Sequence, residues 1–483
     1  MTGKRPSPRR ATVLAICVIT LFVVWYKQLL SALSQTSRPA TVITSHSNPR
    51  PDDSPPVDLS SARAPFISWP LRRLCTEQVE SEVTVPGLVF LCDNNSGGPG
   101  NIRNYILTCV RYAIEAGATG LQIPRIRTRS TSDKADLFKE YQPLSYMFSE
   151  EHFRDAMGDA CPHISLFPSD GEGGGLGAIP GMKAKAAREG LPLERMVRQI
   201  TPKQFGGRRG GCDSRDPHRY TDRFGFAFRE WTRDTVAELG LRPPSWENPM
   251  LVRLSWGVLW DWPVVRDGAE VAATFGGLLR IREDILELAD RIVQSIKRLA
   301  ASEAEGGSGD DDEAGKDRPG GRFLGIHLRT EEDALSQWPT YENQSKGYLL
   351  AAEKQRFRGG VAYLASGSEK ETIRFGKDAR VHLSLKVKSK YDLVRGQELE
   401  KLKSLSWDQQ ALVDFAVLLK SDYFLGVSPS SFSINVALKR HLQKEGLHTR
   451  PWKLGASDKR SWLVGQYSSY WDDWLFMFDG MWP

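Results

Sequence analysis

The apolar positions of this chain fall into short unbroken runs that alternate with longer stretches of helical spacing. Gly87-Leu-Val-Phe-Leu-Cys92, Phe323-Leu-Gly-Ile-His-Leu328, Val361-Ala-Tyr-Leu-Ala365 and Asp422-Tyr-Phe-Leu-Gly-Val427 each read as a strand covered on both faces, the signature of a buried parallel sheet. Leu121-Gln-Ile-Pro-Arg125 and Val381-His-Leu-Ser-Leu-Lys386 read as further strands. Between them, Ile102, Ile106, Cys109, Val110, Ala113 and Ile114 recur at helical spacing and stop at Gly117. Ile285, Leu286, Leu288, Ile292, Ile296 and Leu299 mark a second helix over Glu283–Ala300, and another follows Gly367 and Ser368 over Glu369–Phe375. Ser406 with Gln409 forms a capping box that opens a helix over Trp407–Leu419, and Ser428-Pro-Ser-Ser-Phe-Ser433 opens one reaching about Leu442. Strand and helix alternate in two blocks, which predicts an α/β architecture.

Two domains with accessory segments follow from 483 residues, and a composition of 40% hydrophobic and 26% charged residues describes a globular chain. The net charge of +6 arises from 65 basic against 59 acidic residues with no dense basic block after the first few, which excludes nucleic acid as a main partner. Lys4, Arg5, Arg9 and Arg10 precede an uncharged stretch from Ala11, interrupted by Lys27 and apolar again to Leu33. This predicts a cytoplasmic tail (1–10), a signal-anchor transmembrane segment (11–33) and a lumenal body, with a Golgi or ER membrane as the location; the short span favours Golgi. A cleaved signal peptide is the rival reading. Residues 34–70, rich in Ser, Thr and Pro, read as an extended stem. The domain reading places a first Rossmann-like domain at 71–265, a second at 266–455 with an acidic disordered insertion at 303–320, and a Trp-rich tail at 456–483. Tail residues Trp471, Trp474 and Trp482 pack across domains or stack on an acceptor sugar.

In an oxidising lumen Cys75, Cys92, Cys109, Cys161 and Cys212 allow two disulfides and one free thiol. Cys109, amid the apolar face of its helix, is expected to stay unpaired. Asn94-Asn-Ser and Asn343-Gln-Ser are glycosylation sequons. The glycine-rich stretches Ser169–Arg188 and Phe205–Cys212 read as insertions or an acceptor-side lid. Asp310-Asp-Asp312, a spacing that elsewhere binds metal, lies in the acidic run and reads as solvated charge.

Candidate chemistry concentrates at strand ends. Phe323–Leu328 delivers His327, Arg329, Glu331, Glu332 and Asp333 at its carboxyl end, where open α/β sheets carry their function. Arg329 suits a phosphate or carboxylate, or pairs structurally with Glu331 or Asp333. After the first strand, Asp93-Asn-Asn-Ser-Gly-Gly-Pro-Gly100 leads into a helix start that suits an anion. Asp414 lies among apolar neighbours and needs a donor from protein or ligand. Ser430 and Ser431 at a helix start cap it or cradle phosphate.

Together, Gly97-Gly-Pro-Gly-Asn-Ile-Arg103, His327-Leu-Arg-Thr-Glu-Glu-Asp333, Tyr363-Leu-Ala-Ser366 and Asp414…Ser421-Asp-Tyr-Phe-Leu-Gly…Ser430-Ser-Phe-Ser433 resemble the O-fucosyltransferase-like superfamily over Val85 to Arg440. The resemblance implies a GT-B fold, two Rossmann-like domains facing a cleft. It implies inverting transfer of fucose from GDP-fucose to a protein or glycan hydroxyl, with no obligatory metal and no cofactor. Arg329 then grips the diphosphate and stabilises the departing charge, and Asp333 orders that arginine. Asn101, with Gly98 and Gly100, lies near fucose and phosphate. Asp414 receives donors from the base, Ser430, Ser431 and Phe432 hold phosphate and guanosine, and His327 is structural or adjacent to the nucleotide. One branch of the superfamily carries a glutamate in the glycine turn as general base. Gly97–Gly100 has none, so the base is open, with Glu331 and Glu332 candidates by sequence proximity and solvated charge the simpler reading.

Overall fold

Every long apolar run becomes a parallel strand, and the strands sort into two five-stranded sheets. In the computed structural model, which describes residues 57–483 apart from 130–138, 170–173, 206–210, 214–217, 239, 307–320, 332–337 and 446–458, the first sheet comprises β1 (Val85–Leu91), β2 (Ala118–Gln122), β3 (Ser165–Phe167), β4 (Val197–Ile200) and β5 (Met250–Leu254). The second comprises β6 (Phe323–His327), β7 (Val361–Ala365), β8 (Lys386–Lys388), β9 (Tyr423–Val427) and β10 (Ser461–Val464). Their orders are β3-β2-β1-β5-β4 and β8-β7-β6-β9-β10, and every pair within each sheet is parallel.

Chain direction across each sheet reverses beside its first strand, β1 or β6. Such a switch point leaves a crevice at the strand carboxyl ends that no crossover connection covers. Helix α1 (Pro99–Ala116) follows β1 and α2 (Glu283–Gly306) leads toward β6; α3 (Tyr341–Lys354), α4 (Glu369–Leu383), α5 (Trp407–Leu419) and α6 (Ser431–Glu445) belong to the second half. Alternation along β6 splits its side chains, Phe323 joining one core and Leu324 and Ile326 the core under α3 and α4. Pro99 sits in the first turn of α1 and Gly117 closes it at φ 79°. The capping box of α5 forms as read: Gln409 N–H donates to Ser406 Oγ at 3.2 Å, and Ser406 N–H to Gln409 Oε1 at 3.0 Å.

Several expectations need correction. The stem stops short of Pro70: Leu59 is buried with Ala273 and Leu442, Arg63 pairs with Asp290 at 2.8 Å, and a helix starts at Trp69. Val381–Lys386 is no strand, because α4 continues to Leu383 and β8 starts at Lys386; its lone apolar alternation lost to helical continuity from Phe375 and Ala379. Helix α2 runs to Gly306, into the stretch read as disordered, and Asp310–Asp312 lies outside the described residues. Met182–Glu189 is helical within the glycine-rich stretch. Ile281 forms an isolated antiparallel bridge to Phe148. Cys109 is bonded to Cys92, and Cys75 to Cys161, leaving Cys212 as the buried free thiol. The helix face that looked merely apolar points at the end of β1, which brings Cys109 to Cys92.

The tail does more than pack. Ser461–Val464 is the edge strand beside β9, and residues 480–483 return to the first half. The Trp482 carbonyl accepts from Arg103 of α1 at 2.7 Å and from Asn435 of α6 at 2.8 Å. Trp482 N–H donates to Asn104 Oδ1 at 2.9 Å, and its ring lies 4.5 Å from Phe275. No helix among the described residues is long and apolar enough to cross a membrane; the expected anchor lies outside them.

Candidate active site

The two crevices open into one cavity of about 870 Å³, lined by Gly97–Asn101 after β1, by His327, Arg329 and Glu331 after β6, and by Pro429–Phe432 after β9. Two helix N-termini, those of α1 and α6, thus meet at one space, and each presents partly positive backbone N–H groups. Gly97 has φ 96°, and a β-carbon there would lie 2.9 Å from the Asn101 amide nitrogen; only glycine makes the turn and leaves Asn101 in place. The turn is pinned from behind. Asp93 is buried and accepts from Arg253 at 2.7 Å through both oxygens and from Arg125 at 3.1 Å. Asn95 donates to the Arg125 carbonyl at 2.7 Å and accepts from Arg127 N–H at 3.0 Å. Among the described residues the buried Asn101 Oδ1 has no hydrogen-bond partner, an acceptor left for something in the cavity.

Arg329 is held by its backbone. Gln344 of α3, fully buried, accepts from Arg329 N–H at 3.0 Å and donates to its carbonyl at 2.8 Å. The guanidinium pairs with Glu331 and sits 5.6 Å from the Trp338 ring centre. Glu331 is not solvated surface charge: its side chain is 13% exposed, and it also accepts from Gly367 N–H at 2.6 Å. Burial pushes its carboxyl up, but Arg329 outweighs that and holds it below the usual range. The bland reading of the sequence, an ion pair of Arg329 with Glu331, is therefore present at the same spot as the anion site. Asp333 and Glu332 lie outside the described residues.

His327 shares a hydrogen bond with Ser433: Nδ1 and Ser433 Oγ are 2.7 Å apart, and the ring lies 4.6 Å from Phe432. Burial lowers its pKa to about 4, so it is neutral and serves as packing and polar contact. Ser430 Oγ accepts from Ser433 N–H at 3.4 Å, capping α6. Ser431 and Phe432 form the first turn of that helix.

Asp414 gains its partner from protein. Tyr363 O–H donates to one oxygen at 2.5 Å and Lys390 Nζ to the other at 2.8 Å. Burial and Asp414 push the Tyr363 phenol well above its ordinary pKa, so it remains a donor. Asp414 and Lys390 line the same cavity as Arg329, on the β7 and β8 side.

Sequence reading overlooked Arg129, Gln344 and Lys390. Arg129 lines the cavity, lies 4.4 Å over the Trp407 ring and 3.4 Å from Asp408 of α5, and reaches across from the first half. Nothing periodic marks it, since it leaves a three-residue strand, Ile126–Thr128. Gln344 carried a signal, being a polar residue between the apolar positions of α3. Among the described residues, no group of three or more His, Cys, Asp and Glu side chains is placed to hold a metal.

No curated protein matches the chain. Among solved structures it is similar to POFUT1 in complex with GDP-fucose, at 13% identity and a TM-score of 0.43, covering 80% of this chain and 100% of that one. It is also similar to the fucosyltransferase NodZ from Bradyrhizobium, at 14% identity and a TM-score of 0.33, over 74% and 94% of the two chains. FUT1 of Arabidopsis thaliana in complex with GDP matches at 11% identity and a TM-score of 0.33, over 76% and 71%. The family model described as GDP-fucose protein O-fucosyltransferase matches residues 88–443, which hold both sheets up to α6 and the whole lining just described, and the chain belongs to that family.

Proposed function

We propose that the cavity binds GDP-fucose with the diphosphate between the N-termini of α1 and α6, and that Arg329 stabilises the negative charge that develops on the departing GDP. The protein is a glycosyltransferase that takes fucose from GDP-fucose. The observation that carries the site assignment is the convergence of Arg329, the Gly97–Asn101 turn and the Ser430–Phe432 helix start on one cavity.

An acceptor hydroxyl of a protein or glycan attacks the fucose anomeric carbon from the face opposite the phosphate. The bond from that carbon to the β-phosphate oxygen breaks, its electron pair leaves on GDP, and configuration inverts. Charge that accumulates on the diphosphate needs fixed donors in a water-poor site. A guanidinium and two helix starts supply them in this reading, with neither a metal nor a cofactor. Asn101, with its unpaired oxygen, positions the sugar. Asp414, whose oxygens retain free lone pairs beside Tyr363 and Lys390, receives the donors of the base. The acceptor proton goes to a base that no residue here is assigned to. The basic N-terminus and apolar stretch 11–33 support a single-pass anchor with this body in the Golgi or ER lumen.

Calorimetric titration of GDP into the full chain and into Arg329→Ala tests the donor site. Equal affinity in the two proteins, both folded, would falsify the assignment. A second reading, a GDP-binding protein without turnover, is favoured by the absence of a carboxylate from Gly97–Gly100; GDP release from GDP-fucose in the presence of acceptors discriminates against it.

A further inference from the structure

The donor cavity does not end at Arg329. Trp338, Pro429 and Trp474 line both it and a second cavity of about 230 Å³. The second is walled by Gly465 and Gln466, which follow β10, and by Asp472 and Asp473. Lys390 follows β8 and Gln466 follows β10, the two opposite edges of the sheet, with Arg329 leaving β6 at its centre. If the nucleoside occupies the β8 side and the diphosphate the centre, the β10 side is where the acceptor enters.

The wall is built, not accidental. Trp474 has φ 60°, a left-handed conformation that a bulky side chain adopts only at a cost of order 1–3 kcal/mol. Surrounding contacts enforce it: the Trp260 ring meets Trp474 edge-on at 6.0 Å and Phe476 lies 5.7 Å away. Asp473 accepts from Ser468 N–H, Ser468 Oγ and Ser469 N–H at 2.7–2.9 Å, closing the loop that carries the tryptophan. Those donors hold the Asp473 carboxyl below its ordinary pKa. Among the described residues the buried Trp338 Nε1 has no hydrogen-bond partner.

We propose that this second cavity is the acceptor subsite and that it takes a neutral sugar ring; the assignment rests on the GDP-fucose reading above. A pyranose has an apolar C–H face and a polar rim. Indole faces at Trp338 and Trp474 suit the first, while Asp472, Asp473, Gln466 and the free indole N–H suit the hydroxyls of the second. Among the described residues no cationic side chain lines the cavity, and the carboxylates of Asp472 and Asp473 disfavour phosphorylated or other anionic acceptors.

The test presents the full chain and GDP-fucose with neutral mono- and disaccharides and, separately, with Ser- and Thr-containing peptides, basic ones included. GDP release and product mass are read. A saccharide is expected to raise GDP release by about tenfold or more over the acceptor-free rate, equivalent to about 1.4 kcal/mol. Trp474→Asn removes the indole with a residue that tolerates the left-handed backbone, so it is expected to fold, to bind GDP measurably, and to lose the saccharide-dependent release when GDP-fucose is saturating. Asp472→Asn, at an exposed carboxylate, is expected to raise the saccharide KM with kcat unchanged. Transfer to peptides alone overturns the proposal, as does a silent panel with GDP bound, or saccharide transfer undiminished in folded Trp474→Asn. Failure of the wild-type chain to bind GDP removes the donor reading itself, and this one with it.

Discussion

Gly100 and Ser431 start helices that belong to different sheets, yet a β-carbon on Gly100 would lie 3.2 Å from the Ser431 carbonyl carbon and oxygen. The two positive helix ends are as close as their backbones allow. Gly100→Val is therefore expected to wedge them apart, at an overpacking cost of about 1–3 kcal/mol. Calorimetry should show GDP affinity falling by roughly tenfold or more; unchanged affinity would separate the α1 start from the phosphate site.

The Arg329–Glu331 pair makes a prediction of opposite sign. Glu331 occupies the guanidinium that the diphosphate would use, so Glu331→Gln is expected to strengthen GDP binding several-fold. It also removes the charge of a carboxylate paired with a mostly buried arginine, and stability is expected to fall by about 1–3 kcal/mol in urea unfolding. If GDP affinity drops instead, the carboxylate orients the arginine for the ligand rather than competing with it.

Asp414 and Lys390 are 8% and 9% exposed. Removing one member of so enclosed a pair strands the other. Asp414→Asn is expected to destabilise the chain by about 3 kcal/mol and to weaken GDP. The double variant Asp414→Leu with Lys390→Met is expected to recover most of the stability and none of the affinity; recovery of both would remove the pair from the nucleotide site.

His327 gives a pH signature. Its pKa falls from 6.5 unfolded to about 4 folded, so the unfolded chain binds the extra proton between those values. Stability from this group is present above pH 6.5 and lost as pH drops toward 4, by on the order of 2–3 kcal/mol. His327→Asn, which keeps a polar atom toward Ser433, is expected to flatten this part of the profile. Urea midpoints at pH 7 and pH 5 measure it, and an unaltered slope in the variant refutes it.

The sheet strands and their helices were legible because their burial is written as unbroken apolar runs, and the residues lining the site were legible because they sit where those runs end. What was not legible depends on contacts distant in sequence. Cys109 looked like one more apolar helix residue until β1 set Cys92 beneath it. Glu331 looked solvated because its partner Gly367 N–H lies after another strand. Ser461–Val464 has only four residues and no glycine turn of its own, so only β9 beside it reveals a strand. Arg129 enters the cavity from a segment with no period at all.

The Trp482 carbonyl, shared by Arg103 and Asn435, has a consequence for biogenesis. The first sheet is complete once residue 254 has been synthesised, but the second lacks its edge until Ser461–Val464 emerges, and the two helix starts lack their common brace until Trp482 does. Both halves can be formed only once residue 464 has emerged, and they stay unlocked until Trp482 follows. Donor affinity is then the last property the protein acquires, and a chain shortened by a few dozen residues at this end keeps the family's motifs while losing the geometry that gives them meaning.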